Sequence, residues 1–226
     1  RVARLEQDLL ALVGGRVPVS EVLLSGSAGD VPFLLVSWVD GCDADTVLAE
    51  EGTASIGQAC GRTLAGIHEV AFDRFGTFGP GLVVGGRYPE SARDYLDLML
   101  PVLTGERAQQ YLGPLHGDAE AFVREASELV DQTPVSPCLV HSDFNAPNIR
   151  VRRAAGEWEV AGILDWEFAH SGHRYRDIAN FLRRRPGQGS DFEKGFANGY
   201  REAGGYLGEG WRSLSHFVDL FSMTMA

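Results

Sequence analysis

The sequence predicts an α+β chain in two unequal parts, a small α/β lobe over residues 1–40 and a large, mainly helical lobe over 41–226. Three observations predict it. The first forty residues carry one helical repeat and then two strand-like apolar runs. Helical periodicity dominates beyond residue 53. One strand pair interrupts it near residues 149–164.

Residues 4–13 place Leu5, Leu9, Leu10 and Val13 on one face of a helix that Gly14-Gly15 ends. Val22 to Leu24 reads as a short strand and Ser25 to Asp30 as turn chemistry. Phe33 to Trp38 is an apolar run suited to a buried strand, closed at Asp40-Gly41, the expected lobe boundary. Residues 53–70 form an amphipathic helix with Ile56, Cys60, Leu64, Ile67 and His68 near one stripe. The glycine-rich 75–86 reads as loop, and its Gly79-Pro80-Gly81 lacks the spacing of a phosphate-cradling loop. Helices follow at 91–103 and 117–130, and Pro134 and Pro137 break the chain. Strands 149–152 and 158–164 turn at Ala155-Gly156, and residues 174–184, 190–203 and 211–224 are helical. Two strands and a helix cannot bury a sheet unaided, so the small lobe reads as incomplete.

A formal net charge of -11 argues against nucleic acid as a partner, which needs a basic face. It favours a cationic small molecule through steering, although solubility explains the charge as well. No apolar run reaches the roughly 18 to 20 residues of a membrane span. Cys42, Cys60 and Cys138 show neither metal nor disulfide spacing and suit the free thiols of a cytoplasmic protein. Oligomeric state is not legible.

The chemistry concentrates in His141-Ser142-Asp143-Phe144-Asn145-Ala146-Pro147-Asn148 and in Ile163-Leu164-Asp165-Trp166-Glu167. The first fits H-x-D-x-x-x-x-N, the spacing of a base aspartate and a metal-binding asparagine in phosphoryl-transfer catalytic loops. A substrate hydroxyl must be oriented while its proton leaves, which a carboxylate does. Mg²⁺ on a triphosphate wants hard oxygen ligands, which an asparagine carbonyl and a second carboxylate offer. Asp165, ending the apolar strand Val160 to Leu164, is placed to be that second carboxylate.

HSDFNAPNI resembles the catalytic loop of the aminoglycoside phosphotransferase and choline kinase family. ILDWEFAHSGHRYRDIANFL resembles its metal-binding segment and following helix. FLLVSWVDG resembles its hinge strand, and LAGIHEVAFDRFG the helix that ends in Leu-x-x-Leu-His form, with Leu64 to His68 as a looser variant. The landmarks fall in the family's order over nearly the whole chain. The resemblance implies a protein-kinase-like fold and transfer of the γ-phosphate of ATP, or of GTP, to a hydroxyl of a small molecule: an aminoglycoside-like antibiotic, a choline-like amine or a sugar. Asp143 would be the catalytic base, and Asn148 and Asp165 would ligate Mg²⁺. His141 and Asp177 would brace the loop. Glu6 matches the glutamate that pairs with the ATP-positioning lysine. Ser37, Trp38 and Val39 would offer backbone groups to the base. Glu167 is a candidate for a cationic substrate.

The sequence departs from that pattern at its start. It begins at Arg1, at the helix expected to follow the glycine loop and lysine, and its one lysine is Lys194. Glu6 is therefore expected to lack its partner, and nucleotide binding to be weak and turnover slow. A catalytically inactive, kinase-like binding module is the rival expectation.

Overall fold

A computed structural model describes residues 2–50, 54–86, 88–133, 136–183 and 189–224. Arg1, Thr53, Pro134 and Arg184, on which expected features fell, lie outside the described residues. Helix α1 (Val2–Val13) buries Leu9, Leu10 and Val13, the face its periodicity predicts. Strands β1 (Val22–Ala28) and β2 (Val31–Val36) then form an antiparallel hairpin.

Two expectations fail in that hairpin. Ser25 to Ala28 is strand, because pairing continues to Ala28↔Val31 and leaves Gly29-Asp30 alone to turn, with Gly29 at φ 63°. The run from Phe33 is also not a buried strand, and it ends at Val36. Phe33 is 39% exposed, Leu35 51% and Trp38 83%, while Leu34 packs on the core. A two-stranded ribbon with α1 as its packed neighbour has too little cover for both faces, so apolar composition alone misjudged its burial.

The rest of the molecule is built on two small sheets and their helices. Strands β3 (Cys42–Asp43), β7 (Ile149–Ala154) and β8 (Glu157–Ile163) form one sheet in the order β3-β7-β8. Strands β4 (Gly76–Phe78), β5 (Val84–Gly85), β6 (Cys138–Val140) and β9 (His170–Gly172) form the other, in the order β5-β4-β9-β6. The segment read as a glycine-rich loop thus carries two strands. Gly76 permits this, since a Cβ there would lie 2.5 Å from the Gly85 carbonyl oxygen. A parallel bridge from Val19 to Ile163 ties the chain after α1 to the end of β8.

The helices are α2 (Ala44–Glu50), α3 (Ala54–His68), α4 (Ala92–Leu103), α5 (Glu106–Leu112), α6 (His116–Gln132), α7 (Tyr175–Leu182), α8 (Asp191–Glu202) and α9 (Trp211–Thr224). Ser91 caps α4 in a capping box with Asp94. Helices α2 and α5 were not foreseen, being short and flanking longer periodic runs. No helix among the described residues is long and apolar enough to cross a membrane.

Helices α3 and α8 pack unusually closely, and glycine is the reason. Gly57 and Gly61 on α3 face Gly195 and Gly199 on α8, each set one helical turn apart. A Cβ on Gly57 would lie 2.4 Å from the Phe192 carbonyl oxygen, and one on Gly199 would lie 2.0 Å from that of Gln58. The clash in each case is with backbone, which cannot rotate away. This contact matters downstream, because α3 ends in His68 and α8 carries Tyr200. We expect Gly199→Ala to destabilise the fold by about 1–3 kcal/mol, the scale of overpacking. A urea midpoint equal to that of the wild type would contradict the close packing.

Candidate active site

Strand ends set the site. β6 runs out at Val140 and hands the chain to His141-Ser142-Asp143; a short 3₁₀ turn over Ala146–Asn148 delivers Asn148 to the start of β7. β8 runs out at Ile163 and hands over Leu164 and Asp165. The Leu164 amide donates to the Asn148 carbonyl at 2.9 Å, so the two segments travel side by side. Phe144 turns inward against Phe181, ring centroids 5.3 Å apart, and anchors the loop in the core.

His141 is fully buried. Its Nδ1 accepts the Asp143 amide at 3.2 Å, which leaves Nε2 as the protonated nitrogen, donating to the Leu164 carbonyl at 3.0 Å. Its ring lies 4.6 Å from that of Trp166. One imidazole thus braces both segments, and burial lowers its pKa, keeping it neutral.

Asp177 is buried in the first turn of α7. Its carboxylate accepts the amides of His141 at 2.8 Å and Ser142 at 2.7 Å. His68 Nε2 lies 3.2 Å from the same carboxylate, and His68 Nδ1 lies 2.8 Å from the Tyr200 hydroxyl. Burial alone would raise the Asp177 pKa, but hydrogen bonding from His68 and from the His141 amide outweighs it, and the pKa is lowered. His68 reads in the sequence as an ordinary core position at the end of a helix, and its place in this network was not foreseen.

The Asp143 carboxylate is gripped by amides. Asn145 Nδ2 donates to Oδ1 at 2.6 Å and Asn148 Nδ2 to Oδ2 at 2.6 Å, with Asn180 Nδ2 at 3.5 Å from Oδ1. Asn148 Nδ2 also reaches the Asp143 carbonyl at 3.0 Å. With that nitrogen committed, the side-chain Oδ1 of Asn148 is the atom that could meet a cation. Asn145 and Asn180 were not singled out from the sequence. Asn145 lies inside the motif and Asn180 one turn beyond Asp177, so their positions were legible although their aim was not. A pocket of about 280 Å³ opens beside Asp143, lined also by Asp45, Asn145, Asn180 and Arg183.

Asp165 adopts a left-handed φ of 65°, a strained conformation for a residue with a Cβ. Glu6 faces it. Burial raises the Glu6 pKa, the charges of Asp165 and Glu167 raise it further, and the Trp166 amide opposes them. The structure therefore gathers Glu6, Asp165 and Glu167. Lys194, on α8, pairs with Asp191 at 3.2 Å.

The oxygen donors of Asn148 and Asp165 suit magnesium, which keeps several waters and takes few protein ligands. Among the described residues no group of three or more His, Cys, Asp or Glu side chains makes a metal cluster. In the segment expected to be the hinge, the Ser37 amide donates to the Glu21 carbonyl at 2.8 Å and its hydroxyl accepts the Glu21 amide at 2.8 Å. Ser37 is thus engaged internally, while Trp38 is exposed and Val39 packs over Gly162.

Comparison with known proteins fits this arrangement. No curated protein matches the chain in sequence. Among solved structures it is similar to a GDP and kanamycin complex of APH(2")-IIia, with TM-score 0.70, 16% identity, and 99% of this chain and 74% of that chain covered. It is similar to a ternary complex of a thermostable mutant of aminoglycoside phosphotransferase APH(4)-Ia with AMP-PNP and hygromycin B, with TM-score 0.65, 17% identity, and 100% and 76% covered. An aminoglycoside-3'-phosphotransferase of type VIII is also similar, with TM-score 0.56, 18% identity, and 97% and 79% covered. These likenesses show a protein-kinase-like fold. Residues 2–217 match the phosphotransferase enzyme family, which spans the amide-gripped Asp143, Asn148 and Asp165, and on that match the chain belongs to this family.

Proposed function

We propose that the protein transfers the γ-phosphoryl group of ATP or GTP to a hydroxyl of a small molecule. The observation that carries this reading is the Asp143 carboxylate, oriented by Asn145 and Asn148 at 2.6 Å each and open to a pocket on its other side. Asp143 accepts a hydrogen bond from the acceptor hydroxyl and takes its proton as the oxygen–phosphorus bond forms and the bond to the leaving diphosphate breaks. Asn148 and Asp165 would hold Mg²⁺, which when bound neutralises charge on the phosphates. Positioning supplies the remainder of the catalysis, with no covalent enzyme intermediate.

Residues 1–40 form the nucleotide-side lobe in this reading and 41–226 the catalytic lobe. The backbone of Trp38 and Val39 faces the base, and Ser37 contributes by fixing the hinge to Glu21. His141 and Asp177 brace the loop, and Glu6 braces the segment around Asp165 through the Trp166 amide. Glu167, exposed beside Asp165, meets a cationic acceptor. Structural relatives that bind kanamycin and hygromycin B, together with the net charge of -11, favour an amine-bearing acceptor of that kind. The nucleotide requirement and three free thiols fit a cytoplasmic location.

The second reading, a catalytically inactive, kinase-like binding module, is favoured by the crowding of Glu6 against Asp165 and Glu167. One assay separates the two. The protein is incubated with Mg²⁺, ATP or GTP, and a panel of aminoglycosides, choline-like amines and sugars, and diphosphate release is read. Acceptor-dependent release is expected with at least one hydroxylated amine. Calorimetric nucleotide binding with no release from any acceptor would overturn the enzymatic reading in favour of the module.

A further inference from the structure

Ser142, between His141 and Asp143, has a left-handed φ of 75°. A residue with a Cβ holds such a conformation only where its surroundings over-determine it. Here one helical stretch does so. The Ser142 amide donates to Asp177 Oδ1 at 2.7 Å, its carbonyl accepts Asn180 Nδ2 at 3.1 Å, and its hydroxyl accepts Arg176 Nε at 2.6 Å. Every polar group of the residue preceding Asp143 is thus bound by α7.

Arg176 does more than complete that clamp. Its Nη1 donates to the Ser222 hydroxyl on α9, whose own proton goes to the Val218 carbonyl at 3.0 Å. The guanidinium therefore bridges the loop to the C-terminal helix, through two N–H groups of one rigid fork. The neighbouring contacts of α7 with α9 hold the bridge in place; Arg183 pairs with Asp219, Nε to Oδ2 at 2.7 Å, one turn from Ser222.

We propose that Arg176 is a positioning residue, which fixes Ser142 in its strained conformation and so sets the approach of Asp143, taking its own anchorage from Ser222 on α9. The proposal rests on the phosphotransferase reading. By it, α9 is a mechanical partner of the catalytic loop, tied to it through two hydroxyls and one guanidinium.

The test is a double-mutant cycle between Arg176→Met and Ser142→Gly in the full chain, read by diphosphate release and by hydrogen exchange of the 140–145 segment. Glycine adopts positive φ without strain and has no hydroxyl to hold. Arg176→Met is expected to lower kcat by about 10- to 100-fold, the range for misplacing a catalytic group, while KM for the nucleotide stays within about two-fold, and to speed exchange of the His141 and Ser142 amides. In the Ser142→Gly background the same change is expected to cost less than about three-fold, because the linkage it breaks is already gone. An equal loss in both backgrounds would reduce Arg176 to general support of the fold and overturn the proposal, as would unchanged kcat and exchange in Arg176→Met. Arg176→Lys, whose single ammonium cannot serve both hydroxyls in fork geometry, repeats the cycle should the methionine variant fold poorly. If the wild type releases no diphosphate with any acceptor, the functional reading fails on its own account. Exchange then decides the inference: no acceleration in the 140–145 segment would refute it.

Discussion

Asp143→Ala is expected to lower acceptor-dependent turnover by about 10²- to 10⁴-fold, the range for removing a general base, with the fold retained. Asp45 on α2 lines the same pocket, whereas the Asp143 carboxylate is the one the loop's asparagines orient. The side chains around it, Asn145, Asn148 and Asn180, are amides that donate to it, and an amide cannot take a proton at neutral pH. Asp165 and Glu167 belong to the other segment, beside Glu6. The alanine variant also removes the oxygens that Asn145 Nδ2 and Asn148 Nδ2 hold at 2.6 Å, while Asn148 Nδ2 keeps its 3.0 Å contact with the backbone carbonyl of residue 143. A Glu substitution would keep the charge and displace it by a methylene, and should recover only part of the rate. Stability should change little, since Asp143 is only half-buried and water can reach the freed amides. The measurement is kcat from diphosphate release, with urea unfolding as the control. Alanine turnover within about three-fold of the wild type would remove Asp143 from the mechanism.

Why was this residue legible in the sequence when so much around it was not? The 141–148 segment is short and local, so its spacing is carried by the chain itself. The same holds for Asp165, since a run of apolar residues ending in an acid marks the end of a strand. Helix positions were legible for the same reason: a repeat of about 3.6 residues is a local property. The ribbon at β1 and β2 was misjudged because burial depends on what covers a strand, and composition does not say what that is. Glu6 was matched to a lysine partner, yet its neighbours are Asp165, Glu167 and the Trp166 amide, in a chain whose segment after α1 is bridged to the end of β8. The bracing behind the loop was hidden for a related reason. His68, Tyr200 and Asp177 come from three helices, and nothing at any one position announces the other two. The four glycines of α3 and α8 were a visible signal of close approach, although the sequence does not say which helix each pair meets.

Stability is expected to fall steeply as the pH drops below about 6.5, the ordinary histidine value, and the cause is a set of histidines buried in the neutral form. Burial lowers the pKa of His68 and His141, with Asp177 opposing in both cases, and it lowers His170 to about 4 and His173 to about 3, with Arg176 and Arg174 respectively adding repulsion. The hydrogen bonds agree. His170 Nδ1 lies 3.2 Å from the Phe168 carbonyl, while its Nε2 is buried with no partner among the described residues. His173 Nδ1 accepts the Tyr175 amide at 3.4 Å, and its Nε2 is likewise unpartnered. Neither ring has a second acceptor to support a second proton. A folded pKa below the unfolded value means that the unfolded chain takes protons first. The stabilisation is therefore complete above about pH 6.5 and is lost as the pH falls toward the folded values. Each such histidine costs about 1.4 kcal/mol per pH unit inside its window. His170 and His173 alone remove about 4 kcal/mol by pH 5, a large share of the roughly 5–15 kcal/mol that holds a domain folded. Asp177, whose folded pKa is lowered from the carboxylate range, keeps its contribution until the pH drops below about 4, so the loss between pH 6.5 and 4 belongs to the histidines. Urea midpoints measured from pH 7.5 to 5.0 should hold down to about pH 6.5 and fall below it, and His173→Asn should flatten that slope by about one proton. A midpoint that does not move across that range would show that these rings accept protons without unfolding, and the neutral network behind the loop would have to be given up.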